Sequence, residues 1–192
     1  MEPDTDLDGP LVTALGSTLR VLRKVEHADL DRATPCASWD IRALINHFVG
    51  TAHWWAAEFR GEETPAGAEK DYAAGDFVAA YEEGGRVVLG AFAQAAAAGR
   101  IVPLPWGEFP AADVQAFAAT DQFVHGWDLA RALGLDTDLE PGLATVLLDG
   151  AQLAIGDALR GPDGVAPFGQ VTRAPEGASA ADRLAAFLGR AV

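Results

Sequence analysis

Apolar residues recur along most of the chain at three- and four-residue steps, the spacing that gathers them on one face of an α-helix. Leu11, Leu15, Leu19, Leu22 and Val25 predict a first amphipathic helix over about 10–28, with Pro10 suited to its first turn. Ile41, Leu44, Ile45, Phe48, Ala52, Trp55 and Phe59 predict a second over about 40–60, capped by Ser38 or Asp40 after an ordered connection. Residues 61–75 read as a polar loop. Phe77, Val78, Tyr81, Val88, Leu89 and Phe92 predict a third helix over about 76–98. Gly84 and Gly85 weaken its middle, by roughly 1 kcal/mol each relative to alanine. Residues 101–110 form an apolar connection punctuated by prolines, expected to lie over a bundle end. Val114, Phe117, Ala118, Val124 and Ala132 predict a fourth helix over about 111–133, stopped by Gly134.

Beyond it, Leu143, Val146, Leu147, Leu153 and Ile155 predict a fifth helix over about 141–159. A Gly- and Pro-rich stretch, 161–177, holds a briefly extended piece at 168–171, and a short last helix opens at Ser179 or Ala180. The expected class is all-α: an antiparallel four-helix bundle with additional C-terminal helices. We expect one domain over 1–192, with its core bundle at about 10–134 and a helical extension at about 141–192.

The fourth helix breaks the apolar rule in an informative way. At about 100° per residue, Asp121, His125 and Asp128 fall inside its apolar stripe. An unpaired polar group buried there costs roughly 2–7 kcal/mol, so each requires a partner. Asp121 and His125 are four residues apart, the spacing at which two helical side chains can grip one ion; an Asp-His hydrogen bond satisfying itself inside the bundle is the competing reading. Beside the second helix, His47 can approach both. Two imidazoles and a carboxylate leave a fourth tetrahedral position open to water or substrate, as catalytic zinc sites do. A thiol suits that position, since a divalent ion lowers its pKa. Asp128 can accept the other imidazole N–H of His125 and fix the ring, or form a buried salt bridge with Arg42 or Arg131. Thr51, Trp54 and Glu58 stack on the His47 side of the second helix and, with Trp106, are candidates to line the approach. His53 and His27 suit packing or surface roles, and Cys36 suits buried packing.

Fourteen Lys and Arg against 28 Asp and Glu give a net charge of -14. Phosphate backbones and anionic membranes need a basic face, so nucleic acid and membrane are not expected partners. A single cysteine excludes an internal disulfide. The acidic opening residues lack a secretory pattern, and no run of about 18 apolar residues occurs, so a cytoplasmic location is expected.

Three segments carry a resemblance. Thr34-Pro35-Cys36-Ala37-Ser38-Trp39-Asp40 running on to His47, Asp121-x-x-x-His125-Gly126-Trp127-Asp128-Leu129-Ala130-Arg131, and Asp182-Arg183-Leu184 running on to Arg190 resemble the actinobacterial metal-binding proteins related to mycothiol-dependent maleylpyruvate isomerase, within the DinB-like superfamily. The resemblance implies a DinB-like bundle whose metal ligands are His47, Asp121 and His125, with Asp121 standing where the isomerase carries Glu. It also implies a metal that activates a small thiol such as mycothiol for isomerisation or S-transfer; for this chain we expect a divalent ion, zinc, and a small electrophile as substrate. The isomerase has a further C-terminal domain, for which this chain is too short. The competing function is a non-catalytic bundle that binds metal or a small molecule, and a monomer or a homodimer fits either.

Overall fold

In a computed structural model of the chain, residues 9–63, 70–162 and 165–192 are described. The acidic opening residues and the middle of the expected polar loop, 64–69, lie outside them. Four helices make the bundle: α1 (Pro10–Leu22), α2 (Ile41–Arg60), α3 (Phe77–Ala97) and α4 (Ala111–Leu133). α1 packs mainly on α4 and α2 mainly on α3, and α2 also lies against α4. Two further helices, α5 (Pro141–Ala154) and α6 (Ala180–Phe187), pack on each other and on α4. No helix among the described residues is long and apolar enough to cross a membrane.

The apolar stripes account for the core. Leu11, Leu22, Ile41, Leu44, Ile45, Phe48, Phe59, Phe123, Trp127 and Leu129 are buried almost completely. Burial of this kind stabilises by roughly 1.5–3 kcal/mol per large side chain. Local chemistry sets the helix ends. The Asp40 carboxylate accepts from Ala43 N at 2.8 Å and opens α2, and Asp76 does the same for α3 through Ala79 N. Ser179 caps α6 by accepting from Asp182 N.

Three expectations give way. The proline-punctuated connection is a hairpin, β1 (Ile101–Leu104) antiparallel to β2 (Gly107–Pro110), with Val102 opposite Phe109. Pro103 within β1 hides the strand from a pattern reading, because proline cannot donate to a ladder; here it lies in a two-stranded sheet made only of edges. The first helix stops at Leu22 rather than near 28, since Glu26 and Asp29 exchange capping hydrogen bonds around a short 3-10 turn. α5 stops at Ala154, where Ile155 and Gly156 are extended. The expected extended piece at 168–171 survives as a single bridge between Arg160 and Phe168.

α1 and α4 meet at a glycine. A Cβ on Gly126 would lie 2.3 Å from Thr18 Oγ1 and 3.1 Å from Thr18 Cα. Helix propensity alone favours alanine by roughly 1 kcal/mol, but overpacking of this severity costs about 1–3 kcal/mol. Gly126→Ala is therefore expected to lower stability in urea unfolding. A gain in stability would show that α1 is not seated on α4 as described.

Candidate metal centre

The site is built by two helices that present polar groups to each other through the bundle wall. α2 supplies His47 and Thr51, one turn apart. α4 supplies Asp121, His125 and Asp128, which share a face because they are separated by four and three residues. His47, Asp121 and His125 each bring one ligand atom to within 4.8 Å of the other two. Asp121 Oδ1 lies 3.5 Å from His125 Nε2 and 3.9 Å from His47 Nε2. The two imidazoles meet edge to face, 4.7 Å between centroids.

Asp121 divides its oxygens. Oδ2 faces three donors: Thr51 Oγ1 at 3.0 Å, Gln122 Nε2 at 3.1 Å and Trp55 Nε1 at 3.3 Å. Oδ1 is left facing the two imidazoles. A tetrahedral ion with bonds of about 2.0–2.1 Å separates its ligand atoms by about 3.3 Å. The spacings here are only slightly wider, so the three groups fit one ion with small side-chain rotations. The cluster is also reachable: the His47 side chain is 32% exposed and that of Asp121 22%, whereas that of His125 is 7% exposed.

Each imidazole of the cluster is held from behind. Trp39, just before α2, packs on His47 with the rings tilted by 35° and their centroids 4.3 Å apart, and also lies near His125. His125 Nδ1 is 3.1 Å from Asp128 Oδ2, which leaves Nε2 for the site side. This is the role read for Asp128 as a support of the ring. Its charge partner is neither Arg42 nor Arg131. Arg42 pairs with Asp71 at 3.0 Å, and Arg190 instead reaches Asp128 with Nε at 3.2 Å and an NH2 nitrogen at 3.0 Å. No local spacing could reveal a partner supplied by the turn after α6. Cys36, expected as simple packing, is half-buried, and its thiol lies 3.3 Å from Asp128 Oδ2 and 3.4 Å from Arg190. Cys36, His125 and Asp128 are a second group close enough to grip an ion. Arg190 already occupies both oxygens of Asp128.

Gln122 was hidden from the sequence by its place beside Asp121. Its side chain is buried, and Nε2 also lies 3.0 Å from Thr51 Oγ1 and 3.2 Å from the Phe48 carbonyl. Its Oε1 accepts from Tyr81 on α3 at 2.9 Å, and its backbone carbonyl accepts from Thr18 on α1 at 2.7 Å. All four bundle helices are thus tied to the residue next to Asp121. Of the other candidates, Thr51 bonds Asp121 directly rather than merely lining the approach. Trp54 and Trp106 form an aromatic group with Phe117, one turn before Asp121, and Trp106 is 44% exposed. Glu58 lies on α2 eleven residues beyond His47, about 16 Å along the helix axis, and burial raises its carboxyl above the usual range. His53 and His27 pack against Tyr72 and Phe77.

The charges follow from these contacts. Burial opposes ionisation of Asp121, but hydrogen bonds and positive charge from His125 and His47 outweigh it and hold the carboxyl far below the usual range. Burial likewise disfavours a charged His125, yet Asp121, Asp128 and Cys36 hold its proton well above the ordinary imidazole value. For Asp128, burial is overcome by Arg190 and His125, and the carboxyl comes down from 3.8 to about 2. A depressed folded-state value stabilises above the unfolded value and ceases to do so as the pH falls through the folded one. For Asp128 this amounts to about 2 kcal/mol, present above about pH 4 and lost toward pH 2. Urea unfolding in chelator should show wild type losing this increment between pH 5 and pH 2 relative to Asp128→Asn. Parallel pH curves would contradict it.

The family model of the mycothiol maleylpyruvate isomerase N-terminal domain matches residues 11–130. The matched stretch holds His47, Asp121, His125 and Asp128. Two proteins of Mycobacterium tuberculosis are similar over nearly their whole length: an uncharacterized protein of strain CDC 1551 / Oshkosh and one of strain ATCC 25618 / H37Rv. Each is 35% identical over 176 residues, which cover 90% of this chain and 91% of the relative. No solved structure gives a significant match. With the helical bundle in place and a cluster able to grip an ion, the match over most of that bundle supports one conclusion: the chain belongs to the mycothiol maleylpyruvate isomerase N-terminal domain family, which is associated with metal binding.

Proposed function

We propose that His47, Asp121 and His125 hold a divalent ion, zinc, and that the open coordination position takes a small thiol of the mycothiol type for addition to a small electrophile. The observation that carries this reading is the division of Asp121. One oxygen is saturated by three donors while the other faces two imidazole nitrogens at 3.5 and 3.9 Å. A self-satisfied Asp-His pair has no use for a second imidazole or for partial exposure of His47. Three ligands rather than four leave room for an exchangeable group.

A bound divalent ion lowers the pKa of a coordinated thiol and keeps it as thiolate. The rest of the reaction falls to the chain's own residues. Thr51, Trp55 and Gln122 prevent Asp121 from rotating, and Asp128 keeps the Nε2 of His125 turned toward the ion. Trp39 excludes water from one side of His47. Trp54 and Trp106 offer an apolar flank against which a small electrophile can lie. A thiol so activated would supply a sulfur nucleophile for an electrophilic carbon. Expulsion of a leaving group from that carbon would give S-transfer; addition across a C=C bond, rotation about the resulting single bond and loss of the same thiolate would give a cis-trans isomerisation.

Elemental analysis of untagged protein should find about one equivalent of zinc or another divalent ion per chain, with His125→Ala and His47→Ala retaining less than about a tenth of it. At free zinc near a hundred times the dissociation constant, wild type should gain about 2.7 kcal/mol of stability that chelation removes. Thiol conjugation to an electrophilic acceptor should be lost with the metal. Full metal content in His125→Ala would overturn the ligand assignment. Normal metal content with no conjugation across a panel of thiols and electrophiles would leave a non-catalytic binding protein.

A further inference from the structure

We infer that Arg190 is a positioning residue for the metal centre, through which the seating of α6 and the turn after it is coupled to ion binding. This rests on the ligand reading just given and adds to it a residue outside the stretch, 11–130, that the family model matches. The geometry begins at Asp128, which is completely buried. Its Oδ2 is shared by His125 Nδ1 at 3.1 Å, the Cys36 thiol at 3.3 Å and Arg190 at 3.0 Å, while Oδ1 takes the Arg190 Nε–H at 3.2 Å. A forked guanidinium on both oxygens fixes the plane of the carboxylate. That plane decides where Oδ2 stands and therefore how the His125 ring is turned. Take Arg190 away and the carboxylate is free to rotate, with a buried negative charge that draws in water.

Arg190 is itself placed with care. Gly189, after α6, has φ +97, and a Cβ there would lie 2.5 Å from Gly169 Cα. Only glycine lets the turn approach the 168–170 stretch this closely. The turn is closed by Arg190 N donating to the Ala185 carbonyl at 2.9 Å, and by Thr172 N donating to that of Ala186 at 2.9 Å. α6 is anchored to α4 a second time, by Trp127 Nε1 donating to Asp182 Oδ1 at 2.9 Å. α6 and the turn after it thus grip α4 at two successive residues, Trp127 and Asp128, two and three positions after His125. An ion that favours one orientation of His125 favours the seated turn, and by linkage the seated turn favours the ion to the same degree.

Loss of a group that orients a metal-bound histidine typically weakens metal affinity 10–100-fold. The test measures zinc affinity by competition with a chromophoric chelator, the visible spectrum of the cobalt(II)-loaded protein, and amide exchange over 180–192. Arg190→Ala should bind zinc 10–100-fold more weakly and give an altered cobalt spectrum. Arg190→Lys, which restores charge without the fork, should recover part of the affinity. In wild type, adding zinc should slow exchange at 185–190, a readout that needs no variant. Unchanged zinc affinity and cobalt spectrum in a destabilised but folded Arg190→Ala would show a merely structural role and overturn the inference, leaving the ligand assignment intact. Wild type with no zinc binding would remove both.

Discussion

Two carboxylates on one face of α4, Asp128 buried and Asp121 largely covered, set the terms for the rest of this molecule. Taking a charged group out of water costs several kcal/mol unless opposite charge and hydrogen bonds replace the solvent. Asp121 and Asp128 meet that demand differently. Asp128 is enclosed, with a guanidinium, an imidazole and a thiol around it. Asp121 is satisfied on one oxygen and left open on the other, toward two histidines and a solvent-accessible face. One carboxylate is closed on every side; the other keeps an oxygen open, which is the basis of the binding role proposed for it. His125 stands between them and uses one nitrogen for each.

The polar network around Asp121 explains why a bundle stabilised by apolar stripes also holds its helices in one register. Gln122 bonds to groups on α1, α2 and α3 while lying next to Asp121 on α4. Such a network rigidifies when every member is paired. Any slide of one helix along another leaves a buried amide or hydroxyl without a partner. The geometry of the proposed ligands is thus carried by the bundle core rather than by loops, as a site that holds atoms within tenths of an ångström would require.

Much of this was legible in the sequence because helices repeat. The stripes of α2 and α4 located the elements, and polar residues inside the α4 stripe stood out against the pattern. Asp121 and His125, four apart, needed only the helix period to be brought together. What escaped notice depended on distant partners. Gln122 looks like any polar neighbour of Asp121 until Tyr81 and Thr18 arrive from other helices. Arg190 is 62 residues from the carboxylate it grips, and Trp55 looks like core until its indole N–H finds Asp121. The hairpin at 101–110 was obscured by its own prolines.

X-ray absorption at the metal edge tests the central claim most directly. Zinc-loaded protein should show two imidazole nitrogens and carboxylate and water oxygens, and adding a small thiol should bring in one sulfur at about 2.3 Å. A sulfur ligand already present without added thiol would move Cys36 into the centre and contradict the account. So would a first shell that does not change when thiol is supplied.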